Sequence, residues 1–209
     1  SGVPTRTESR RPMKLLVGEG IGGTFWPPPG APIGGVGATV TDFQGLLELL
    51  ELHLGLPHGD PDWLRAVKLL GALRSVRGFW EASFVHDAWG VTRGLLSTLD
   101  ALCLQGWRGE SPTRRLRDLS RALELYDGGE ASRLARVRER LTRRSLRWEV
   151  TLCDPVDSLP RAWRETLDAL REGGAVVQEH AVPNHALPVT LHWLRPGGVI
   201  EAAAEVADF

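Results

Sequence analysis

"RWEVTLCDPVDSLPRAWRETLDALREGGAVVQE", residues 147–179, changes its period twice. "RWEVTLCD" reads as a strand. "SLPRAWRETLDALREGG" reads as a helix. "AVVQE" is a strand again. A strand, a helix and a strand in about 30 residues make a parallel pair with a crossover helix.

Working outward, "KLLV" at 14–17 and "VGATV" at 36–40 read as two more strands. "TDFQGLLELLELHLG" opens a helix with Thr41 or Asp42 as cap and ends it at Gly55. "DPDWLRAVKLLGALRSV" has Asp60 as cap and Pro61 at the first helical position. "HDAWGVTRGLLSTLDALCLQGW" places Trp89, Leu95, Leu96, Leu99, Leu102 and Cys103 largely on one face, so Trp89 is expected in the core. Arg-rich helices follow at about 112–126 and 129–144. "PVTLHWL" is a strand, and residues 198–209 carry a helical pattern, Ile200, Ala203, Val206 and Phe209, that ends without a cap. The expected fold is α/β: a mainly parallel sheet interrupted by a helical insertion at about 42–145. Ser1–Pro12 is Arg-rich and patternless, and reads as a disordered cloning remnant before Met13. The domain is then 13–209, cut short at its C-terminus.

The chain has 209 residues, a net charge of −1 and two cysteines, Cys103 and Cys153. That composition is globular, with no overall basic excess for nucleic acid and no disulfide framework. A reduced cytoplasmic setting is expected, and no apolar run reaches the roughly 20 residues of a membrane span.

Gly18, Gly20 and Gly23 in "VGEGIGGTFWPPPG" match the glycine spacing of a dinucleotide fingerprint. That motif needs a helix opening at its glycines. Pro27, Pro28 and Pro29 forbid one, and no lysine follows Gly23 to make a phosphate loop. The segment reads as a turn, and no cofactor is expected. His180, His185 and His192 lack ligand-spaced cysteines or paired carboxylates. Ser83, His86 and Asp87 hold the atoms of a triad without a nucleophile elbow. No catalytic or metal residues are assigned.

The Arg-rich stretch carries more information. From Trp107 to Trp148 there are twelve arginines and six acidic residues. Arg133, Arg136, Arg140, Arg143, Arg144 and Arg147 recur three or four apart on one flank, a surface suited to phosphates. The competing reading is a solvated helix whose arginines pair with Glu130, Glu139 and Glu149.

"GFWEASFVHDAWGVTRGLLSTLDALCLQGWRGE", residues 78–110, resembles the N-terminal region of bacterial PD-(D/E)XK helicase–nuclease proteins. These are the B subunits of AddAB-type enzymes and, more distantly, exonuclease V subunits. "MKLLVGEGIGGTFWPPPG", "GLLELLELHLGLP", "LRDLSRALEL", "CDPVDSLPRAWRETLDAL" and "LHWLRPGGVIEAAAEVADF" keep the same cadence. The resemblance implies a degenerate RecA-like lobe without its ATP loop, ahead of a nuclease domain that these residues do not contain. The implied role is a non-catalytic scaffold in DNA end processing and repair. Its partners would be DNA, bound weakly, and the remaining domains of a parent exonuclease. Asp87 and Arg93 are expected to be structural. Two readings from other classes remain: a free-standing α/β enzyme using the 180–192 histidines, and a protein-interaction module using the Arg-rich helices.

Overall fold

In the computed structural model the described residues are 12–19, 38–110, 113–126 and 128–180, with the backbone of 190–195 and 198–203. Strands β1 (Met13–Val17), β2 (Ala38–Thr41), β3 (Trp148–Leu152) and β4 (Val176–Glu179) form one parallel sheet in the order β2-β1-β3-β4. The expectation of α/β with a parallel sheet therefore holds. Between β2 and β3 come helices α1 (Phe43–Leu54), α2 (Asp62–Leu73), α3 (Glu81–His86), α4 (Ala88–Leu104), α5 (Arg114–Leu123) and α6 (Gly129–Leu141). Helix α7 (Arg161–Glu172) joins β3 to β4.

Parallel crossovers are right-handed. The passages from β2 to β3 and from β3 to β4 move the same way across the sheet, so their helices belong on one face. The packing agrees. Leu15 and Val17 of β1 and Trp148, Val150 and Leu152 of β3 share a core with α1, α6 and α7. Phe43 of α1 meets Trp163 of α7 edge-on, with centroids 5.1 Å apart.

The helical insertion divides into two parts. Helices α1 and α6 lie in the layer against the sheet, while α2–α5 build a second core from Leu69, Leu73, Trp80, Leu95, Leu99 and Leu119. Polar ties knit this second unit together beside the start of α6. Arg65 of α2 bonds Asp100 of α4 at 2.6 Å and Tyr126 at 3.1 Å, and the Tyr126 hydroxyl donates to Asp100. Gly129, with φ of 46°, opens α6 beneath this cluster. A Cβ there would collide with Arg65, Asp100 and Tyr126, so both its backbone angle and its surroundings demand glycine.

Three expectations need correction. Residues 198–203 are a strand, β6 (Gly198–Ala203), not a helix; it pairs antiparallel with β5 (Thr190–Arg195). The Pro196-Gly197 turn signal and the β-branched Val199 and Ile200 outweigh the helical spacing; residues 204–209 lie outside the described set. Helix α2 starts one residue late. Pro61 sits at its cap, and Asp60 forms an ion pair with Lys68 instead of capping.

The third correction concerns Trp89, which is 42 % exposed. It lies in the first turn of α4, past the end of the core that begins at Thr92 and Leu95, while Trp80 fills that core at 3 % exposure. Trp89→Ala is accordingly expected to lower the unfolding free energy by less than about 1 kcal/mol, measured by denaturant titration.

Candidate nucleic-acid interface

Helix α6 buries Leu134, Val137 and Leu141 against the sheet-side core. Arg136 and Arg140, four residues apart and each next to rather than in register with these buried positions, share the solvent-facing flank, and the chain then leaves the helix through Arg143, Arg144 and Arg147. All five are exposed. Arg143 makes one i,i+4 pair with Glu139 at 3.4 Å, between two solvated side chains. Such a pair holds its members weakly. The other four have no ion-pair partner among the described residues.

Arg133 does not belong with them. Its Nε and Nη2 each donate to one oxygen of Glu51 at 2.8 Å, a two-pronged pair between α6 and α1. Glu51 is 1 % exposed. Burial pushes the Glu51 carboxyl up, but the Arg133 hydrogen bonds and charge, with His58 at 3.1 Å, outweigh it and hold the pKa below the ordinary value. Arg133 is raised in turn, chiefly by the Glu51 hydrogen bond. Arg133 is therefore committed to the fold and leaves the proposed contact set. Arg138 is committed as well: it donates to the Ala162 carbonyl at 3.0 Å and pairs with Glu165, tying α6 to α7.

The acidic partners anticipated for the flank are mostly engaged elsewhere. Glu130 accepts the Trp163 indole N–H at 2.6 Å, and Glu149 pairs with Lys14 at 3.2 Å across β1 and β3. Only Glu139 stays with the arginines. Beside the flank, a polar cleft of about 920 Å³ separates the two cores, with Glu48, Asp60, Asp62 and Glu130 on its walls and Arg136 at its edge. Arg65 and Arg133 line it too, and Arg65 pairs with Asp62 and Asp100 while Lys68 pairs with Asp60.

Asp87 caps α4, its Oδ1 accepting the Gly90 amide at 2.8 Å, and its own amide reaches the Ser83 carbonyl. It is structural, and the residues Ser83, His86 and Asp87 do not form a triad. Arg93 is exposed on α4. Both thiols are poor nucleophiles: burial raises Cys103 and Cys153, and Asp100 and Asp154 push them further. Gly20, Gly23, His185 and the side chain of His192 lie outside the described residues. Among the described residues no three His, Cys, Asp or Glu side chains converge as metal ligands.

Sequence reading did not single out Glu51. Its signal is nevertheless present: in "LLELLELHL" it occupies a core position of the leucine frame, and a carboxylate there requires a buried cation. No family model matches the chain, and no curated protein matches it.

Proposed function

We propose that this chain is a non-catalytic scaffold that contacts DNA through the outer flank of α6, Arg136 and Arg140, and the segment that leaves it, Arg143, Arg144 and Arg147. On this reading it is a degenerate RecA-like lobe of a bacterial PD-(D/E)XK helicase–nuclease, acting in DNA end processing with the rest of its parent polypeptide. The parallel sheet broken by a helical insertion supports the lobe assignment. The observation that carries the DNA reading is the charge on the flank, where five exposed arginines face one exposed carboxylate, Glu139.

Arginines spaced along a helix meet phosphates without reading bases. With the chain's net charge at −1, long-range attraction adds little, and binding is expected to be weak. For about 3–5 phosphate contacts, log affinity is expected to fall against log salt with a slope of about −3 to −4.5 on duplex DNA. The triple replacement Arg136→Gln, Arg140→Gln and Arg143→Gln is expected to flatten that slope by about 2–3. Arg114→Gln, Arg117→Gln and Arg121→Gln remove the same charge from α5 and serve as control. Equal loss in both triples would mean that bulk charge alone binds DNA. Absence of binding by the parent chain at low salt would overturn the proposal.

A further inference from the structure

We infer that the groove between α2 and α4, flanked by Trp63 and Trp89, is a docking site for a proline-rich peptide segment. The chain carries such a segment, Thr24–Ile33, "TFWPPPGAPI".

Two indoles share this groove of about 460 Å³, Trp63 at 63 % and Trp89 at 42 % exposure. Its floor is apolar, Ala66 and Leu96 from the second core. Large aromatics this exposed, over an apolar floor and set together, mark an interaction surface more than a core defect. The indole N–H groups of Trp107 and Trp163 are bonded to Glu110 and Glu130. Those of Trp63 and Trp89 have no partner among the described residues and are available to donate.

A ligand for this surface must offer apolar rings to the indole faces and bare carbonyls to the indole N–H groups. A proline run offers both. Each ring fixes φ near −65° and removes a backbone donor, so the segment is pre-extended and its carbonyls accept from outside. Grooves lined by aromatic side chains take P-x-x-P segments for this reason. Pro29 and Pro32 have that spacing, behind Pro27 and Pro28. A nucleic acid fits less well: two carboxylates, Asp62 and Asp100, stand on the groove wall with Arg65 shared between them, and Arg93 is the single cation among the described residues that line it. This inference is independent of the α6 flank.

Isotope-labelled full chain, observed through its indole N–H resonances, tests it. Unlabelled Thr24–Ile33 peptide is titrated in, and separately Pro27, Pro28, Pro29 and Pro32 are replaced by alanine within the chain. If the groove is open, the peptide is expected to shift the Trp63 and Trp89 resonances saturably. Either Trp63→Ala or an all-alanine peptide should then weaken binding at least about tenfold. If the chain's own segment fills the groove, the added peptide does little, and the in-chain replacements shift both resonances instead. Failure of both arms to move either indole overturns the inference. So does an oligothymidylate that shifts them when the peptide does not.

Discussion

Arg133→Met is expected to lower the unfolding free energy by about 3–5 kcal/mol at neutral pH, the cost of leaving one member of a buried ion pair alone. Glu51 would keep its charge at 1 % exposure, with only His58, itself largely solvated, near it. The companion Glu51→Leu with Arg133→Met removes both charges and is expected to recover most of the loss, because well-packed apolar replacements for buried pairs are close to neutral. That recovery distinguishes an unpaired charge from a packing defect. The pH dependence has a definite sign. In the parent chain the Glu51 pKa is lowered by folding, so its contribution is present above the ordinary carboxylate range and is lost as pH falls through the folded pKa. In Arg133→Met burial, the largest single influence on Glu51, is opposed by His58 only and raises that pKa relative to the parent, so protonation relieves the variant. The stability gap between the two is expected to narrow on acidification. A gap constant from pH 7 to 4 would contradict the assignment.

Trp163→Ala is expected to cost about 3–5 kcal/mol, the range for truncating a large aromatic in a core. Trp163 is 3 % exposed, sits edge-on to Phe43 and binds Glu130 through its indole N–H, so one side chain joins α7 to both α1 and α6. Trp163→Phe keeps a ring and forfeits the hydrogen bond to a charged acceptor, which is worth about 1.5–3 kcal/mol. Denaturant titrations of the two variants separate packing from hydrogen bonding. Similar small losses in both would mean that the sheet-side core does not depend on this residue.

The sheet was legible in the sequence because its signals are local. Alternation in "WEVTL" and the helix behind Pro160 define the β3–α7–β4 unit without reference to distant residues. The last strand was not, since Ile200 and Ala203 satisfy a helical period while Pro196-Gly197 signals a hairpin, and strand pairing with β5 decides between them. Trp89 shows a different limit. Periodicity gives the face of a helix but not where along its axis the core begins.

The arginine flank divides along the same line. Spacing places six arginines together, and nothing local shows that one is spent. Arg133 is held by Glu51, 82 residues earlier, and that contact exists only once α1 and α6 lie side by side on the sheet. The flank that remains free is legible from spacing alone because solvent, rather than a partner, surrounds it.

The most direct test of the central proposal is where DNA touches this molecule. Backbone amide resonances of the labelled chain, followed during titration with a short duplex at low salt, report that surface residue by residue. The proposal predicts saturable shifts concentrated between Arg136 and Arg147, absent when Arg136, Arg140 and Arg143 are glutamine. Shifts gathered instead at the carboxyl ends of the strands, around Gly18 and Asp154, or no saturable shift at all, would contradict it.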